Sequence, residues 1–185
     1  SYFKDYLRQT LPKMLEPFKK ADGTAYDIYK DGLKIYTSID ATMQTLAEKA
    51  VTKRMAELQK QFDGHWSSGS WWGEDRFLMD EVKKSPHFKM RMKEVKNETR
   101  VLEEFKTQKV PMTIFTWENG EPSEKEVSFT RLDSVKYYLK QLNAGFMVLD
   151  PKTGLVKAWV GGTNFDFFQY DHVTARRQVG STFKP

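Results

Sequence analysis

The chain carries 185 residues, with 30 basic and 25 acidic side chains, a net charge of +5 and no cysteine. That is one domain's worth of material. It has no disulfide framework, no thiolate metal ligands and no basic block interleaved with aromatics of the kind that grips nucleic acid. No apolar run approaches the ~20 residues that span a bilayer, and no signal peptide precedes Ser1. Neither absence argues for a cytoplasmic home if the start is internal.

From Ser1 to Lys20 the chain is amphipathic, and helix is expected as far as Leu11, with Pro12 as the interruption. Tyr2, Phe3, Tyr6 and Leu7 form a stripe at helical spacing that reads as a linker helix packed on the domain. Tyr26 to Ile39 is expected to be a β-hairpin turning at Asp31-Gly32. Asp40 is placed to cap the next helix. That helix runs from Ala41 to Phe62, with an apolar stripe of Met43, Leu46, Ala47, Ala50, Val51, Met55, Leu58 and Phe62.

Residues 65–73 change character, with three tryptophans separated by glycine and serine. Trp71 and Trp72 are read either as an aromatic platform for sugar or peptide or as a plug over a satellite core. Glu74 to Lys109 is expected to be helical, with a break at Ser85-Pro86. Phe88, Met92, Val95, Leu102 and Phe105 recur at a helical period beyond that break. Lysine and arginine dominate residues 83–96. A solvated face is the simpler reading of them, and attraction to anionic cell-envelope polymers the sharper one.

Pro111 to Trp117 reads as a strand, Asn119-Gly120 as its turn and Lys125 to Phe129 as its partner. Thr130 and Asp133 have capping-box spacing at the start of the next helix. Phe146 to Leu149 is apolar at every position, which predicts a strand buried on both faces. Asp150 to Gly154 is its turn, and Leu155 to Val160 returns antiparallel. Gly161-Gly162 marks a close approach of backbone or a sharp turn. An aromatic loop comes next, and Ser181 and Lys184 then stand three positions apart, on one face if a helix begins there.

Three stretches carry a family resemblance: residues 31–40 (DGLKIYTSID), 145–162 (GFMVLDPKTGLVKAWVGG) and 175–185 (ARRQVGSTFKP). In this order the chain resembles the transpeptidase region of class A penicillin-binding proteins, the bifunctional peptidoglycan synthases. With FTW at 115–117 and YDHV at 170–173, it resembles members from Bacteroides-type bacteria. The resemblance implies an α/β (α+β) fold, namely an incomplete transpeptidase fold with a mainly antiparallel sheet flanked by helices. Residues 1–25 would be a linker helix from a preceding glycosyltransferase domain, and 26–142 a pedestal and the first part of the transpeptidase region. Residues 143–185 would open the transpeptidase core. More chain is expected before Ser1 and after Pro185.

The implied function is DD-transpeptidation, an acyl transfer from D-Ala-D-Ala stem peptides that β-lactams trap. Ser181 would be the nucleophile and an oxyanion-hole N–H donor, with Lys184 as general base. The family's Ser-x-Asn and Lys-Thr-Gly motifs do not follow Lys184. Lys152-Thr153-Gly154 spells the latter only within a hairpin turn, and Val179 stands where many relatives have proline. Arg177, His172, Trp71 and Trp72 are candidate substrate contacts. The histidines at 65, 87 and 172 lack metal-ligand spacing, and no cofactor is implied.

Expected partners are peptidoglycan stem peptides, β-lactams and the remainder of the same transpeptidase domain. Nucleic acid is not expected, and the membrane would be reached only through an N-terminal region beyond this chain. The implied location is the extracytoplasmic side of the cytoplasmic membrane. This stretch by itself is expected to be inactive. The alternative is a non-catalytic pedestal or scaffold segment that binds partner proteins.

Overall fold

Local side-chain chemistry sets most of the element boundaries in the computed structural model, which describes residues 1–180. The elements in chain order are α1 (Tyr2–Leu15), α2 (Ala41–His65), α3 (Asp75–Lys84), α4 (Pro86–Val95), α5 (Glu98–Thr107), β1 (Lys109–Glu118), β2 (Glu121–Thr130), α6 (Arg131–Leu139), β3 (Phe146–Leu149) and β4 (Val156–Val160). This is a mixed α/β architecture with two small antiparallel sheets flanked by helices, as the sequence implied. The contacts divide it into two units. Residues 1–52 and 143–180 lie in the first, and residues 53–142 form the second. The dividing point falls inside α2.

In the second unit, Val82, Phe88, Val101 and Phe105 form one buried cluster. Met92, Val95 and Leu102 pack against them. Of these, Phe88, Met92, Val95, Leu102 and Phe105 are the positions whose helical period stands out in the sequence, and Val82 and Val101 are additions. Ser85 ends α3 and caps α4, its Oγ accepting from the Phe88 N–H at 3.2 Å. A second break, not foreseen, separates α4 from α5. Lys96 takes a left-handed conformation (φ 53°), and the Asn97 side chain caps α5 through the Arg100 N–H. β1 and β2 pair in register from Lys109↔Thr130 to Glu118↔Glu121 across Asn119-Gly120, both with positive φ, as a two-residue hairpin turn requires. The Thr130–Asp133 capping box forms as read, with both reciprocal bonds present.

In the first unit, β3 pairs with β4 through a bulge at Val148/Leu149. The connecting turn is held by Asp150, whose carboxylate accepts from the Lys152 N–H and the Thr153 hydroxyl, with Gly154 at φ 71°. Ala47, on the first part of α2, packs with Ala158 and Val160. α1 continues through Pro12 to Leu15, beyond the break expected there.

Three expectations are corrected. Residues 26–39 do not form a hairpin. The Asp31 carboxylate instead accepts from the Asp27 N–H at 2.7 Å and from Lys20 Nζ at 2.9 Å, which folds the segment into a side-chain-stitched turn. Residues 38–40 run beside β4, with Ser38 Oγ donating to the Val156 carbonyl and the Asp40 N–H to that of Lys157. Second, β3 is not buried on both faces: Phe146, Met147 and Leu149 are 41–49% exposed. Third, the buried side of α2 is rotated from the expected stripe. Met43 and Leu46 are exposed, whereas Gln59 is 2% exposed. Gln44 and Gln59 lie in phase with Ala47, Val51 and Met55, and each binds main chain.

Candidate functional site

The densest polar constellation of the first unit forms where β4 ends. Gly161 and Gly162 leave room that no side chain could share. A Cβ on Gly161 would sit 2.5 Å from Asp171 Oδ1 and 2.6 Å from Tyr2 Cγ, and one on Gly162 would meet the Tyr2 hydroxyl and Cζ. Into this space α1 presents Tyr2, 7% exposed, whose hydroxyl donates to the Phe168 carbonyl. Burial first, and the Asp171 charge second, push the Tyr2 phenol up to about 12. Asp171 accepts from Trp159 Nε1 at 2.9 Å and from the Val173 N–H at 2.9 Å. Phe3 and Tyr6 stack at a tilt against Trp159. Gln44 adds an amide pairing to the same strand: its Oε1 accepts from the Trp159 N–H and its Nε2 donates to the Trp159 carbonyl. A cleft of about 270 Å3 opens beside the group, lined in part by Tyr2, Glu48, Thr52 and Asn164. Glu48 accepts from Gln44 Nε2 at 2.8 Å.

His172 and Arg177, both expected at a substrate site, do come together, with Nη2 and Nδ1 3.2 Å apart. Burial and then the Arg177 charge hold the imidazole below its usual range. The His172 N–H is tied to the Gly161 carbonyl, and Tyr170 meets the ring edge-on.

The Trp-rich segment belongs to the second unit. Trp71 Nε1 donates to the Leu139 carbonyl at 2.8 Å, and the ring meets Trp72 and Phe77 edge-on. Lys140 Nζ donates to the Gly69 carbonyl at 3.0 Å and reaches that of Trp66. Gln59 completes this region. Its Nε2 donates to the Lys140 carbonyl and to Asp63, and its Oε1 accepts from the Leu142 N–H at 2.8 Å. Trp71 Nε1 and the Gly69 and Trp66 carbonyls are therefore spent on the fold itself. Neither glutamine stands out from sequence. The available signal is a polar residue in phase with an apolar stripe.

Residues 65–142 match the family described as "Penicillin-binding protein middle domain". The chain is distantly related to the penicillin-binding proteins. Penicillin-binding protein 1A of Rickettsia bellii (strain RML369-C) is 28% identical over 203 residues, covering 99% of this chain and 24% of that protein. Its namesake in Rickettsia conorii (strain ATCC VR-613 / Malish 7) is 29% identical over 181 residues, covering 84% of this chain and 22% of its own length. The chain thus spans about a quarter of the length of the curated relatives it matches. No solved structure gives a significant match.

These findings overturn the expectation that this chain is a serine transpeptidase. The family match falls on the middle domain and coincides with most of the second unit. Ser181 and Lys184, which carried that reading, lie outside the described residues. Among the described residues, the hydroxyls of Ser38, Ser85 and Ser134 donate to main-chain carbonyls, and no group of three or more metal-ligating side chains converges. The catalytic residues were placed in the last eleven positions, whereas the family match covers most of the second unit.

Proposed function

We propose that this chain is a non-catalytic pedestal segment of a larger protein of penicillin-binding type, and that it offers surfaces to partner proteins in the cell envelope. The observation that carries this is the match of residues 65–142 to the middle domain. The ordering of that unit by its own caps, core and side-chain-to-backbone clamps supports a rigid support rather than a reaction vessel. The motif order, with its FTW and YDHV stretches, favours a class A member of the Bacteroides type. The family relationship favours an extracytoplasmic position. Among the described residues no helix is long and apolar enough to cross a membrane.

Intact mass spectrometry of the chain after incubation with benzylpenicillin tests the reading. An unchanged mass is expected. A one-to-one adduct that disappears in Ser181→Ala would overturn it. Photo-crosslinkers placed at exposed positions of residues 65–142 in the longer parent are expected to give discrete adducts with other proteins. A parent that yields none from any of these positions contradicts the scaffold role.

A further inference from the structure

We propose that the outward face of α4 docks an acidic segment of a partner protein, an inference that rests on the pedestal reading above. Helix α4 turns Phe88, Met92 and Val95 toward the core. At helical spacing its opposite side carries Lys89, Met90 and Lys93, and Lys96 comes one turn on at the left-handed cap; all four are exposed.

The charges on this helix are distributed unevenly. Arg91 takes both carboxylates within reach, Glu104 at 2.8 Å and Glu94 at 2.6 Å. On the neighbouring helix Lys83 takes Glu98. Among the described residues, Lys89, Lys93 and Lys96 have no ion pair. Like charges at i, i+4 and i, i+3 destabilise a helix, so an anion seated along this stripe relieves repulsion that the fold leaves in place. Met90, 58% exposed within the same face, adds the adaptable apolar contact that promiscuous peptide-binding surfaces use.

The chemistry selects a narrow anionic partner over a broad one. Glu94 flanks the stripe and Glu98 lies just past its end, with side chains 57% and 51% exposed. Basic and acidic residues nearly balance over residues 53–142. A flat anionic bilayer approaching this face would meet those carboxylates as well as the lysines. An extended or helical acidic segment, laid along three lysines with an apolar residue over Met90, meets only the cations. Such contacts act mainly through local charge complementarity and weaken with salt.

The test is fluorescence anisotropy with the complete chain and a fluorescein-labelled 12-residue peptide of alternating glutamate and leucine. Binding is expected to weaken with added salt and to fall at least tenfold in the triple variant Lys89→Glu/Lys93→Glu/Lys96→Glu. Met90→Ala should weaken binding several-fold, and Lys106→Glu on α5 should leave it within twofold. Circular dichroism melts confirm that each variant is folded. Equal binding by the triple variant overturns the proposal. So does face-dependent binding to phosphatidylglycerol vesicles without peptide binding, since the partner is then a membrane surface. If the peptide fails while penicillin leaves the chain's mass unchanged, the docking inference falls and the pedestal reading stands.

Discussion

Gln59 offers the sharpest test of how the second unit is held. It is 2% exposed and its amide satisfies the Leu142 N–H, the Lys140 carbonyl and one oxygen of Asp63. Gln59→Leu keeps most of the volume and strips all three partners. Asp63 is exposed and rehydrates, whereas the two main-chain groups lose this side-chain partner in a part-buried setting. An unsatisfied buried polar group costs about 1–3 kcal/mol, so a loss of about 2–4 kcal/mol is expected, allowing for partial access of water. Four of the five tryptophans lie between residues 53 and 142, so intrinsic fluorescence during urea unfolding reports chiefly on this unit. Hydrogen exchange at the Leu142 amide reports on the bond itself. Gln59→Glu keeps an acceptor for Leu142 but removes the donor to Lys140 and buries a charge near Asp63. Its carboxyl should titrate above the ordinary range, so the damage should grow as pH rises above about 4.3, the ordinary glutamate value. If Gln59→Leu shifts stability by less than about 0.5 kcal/mol and Leu142 exchanges at its original rate, the clamp is not a stabilising element.

Thr130→Ala breaks the capping box that starts α6 and should cost about 1 kcal/mol; denaturant unfolding followed by tryptophan fluorescence checks it, and no change means the box is redundant. Gly162→Ala places a methyl 2.7 Å from Tyr2 Cζ and should cost about 1–3 kcal/mol. Part of that loss should return in a Tyr2→Ala background, because the two sites couple, and strictly additive losses would refute the contact. His172 titrates below its usual range in the fold because of burial and Arg177, so the unfolded chain takes up its proton first. The first unit should therefore lose stability as pH falls below about 6.5, the ordinary histidine value. His172→Gln should flatten that slope in melts between pH 5.5 and 7.5, and an unaltered slope would exclude the effect.

The features legible in the sequence are those whose chemistry is confined to a few neighbouring residues. Ser85-Pro86, Asn119-Gly120, Thr130 with Asp133, and Asp150 to Gly154 each define a boundary through their own side chains, and the chain forms all four. The failures involve partners distant in sequence or competing locally. Asp31-Gly32 has the letters of a hairpin turn, but Asp31 finds Lys20 and the Asp27 N–H instead. The buried face of α2 is hidden because Gln44 and Gln59 count as polar. Their amides substitute for strand and cap partners and so belong inside. The break at Lys96-Asn97 is legible in principle, since asparagine before glutamate is a good cap, yet the strong period on either side masks it.

The catalytic expectation failed for a different reason, and β3 shows why. Four consecutive apolar residues, Phe146 to Leu149, encode a strand wanting cover on both faces. In the fold Phe146, Met147 and Leu149 remain 41–49% exposed, as does Leu155 at 48% across the turn. Hydrophobic pattern records the environment of a residue in the assembly for which the sequence was selected, not in the stretch at hand. Motif spacing is limited in the same way, since two side chains three positions apart are chemistry only when a cleft and an oxyanion hole surround them, and Ser181 and Lys184 lie outside the described residues. The second unit behaves otherwise: its buried cluster, its caps and its glutamine clamp are supplied from within residues 53–142. That internal sufficiency suits the pedestal proposed above, and the middle-domain match covers most of this unit.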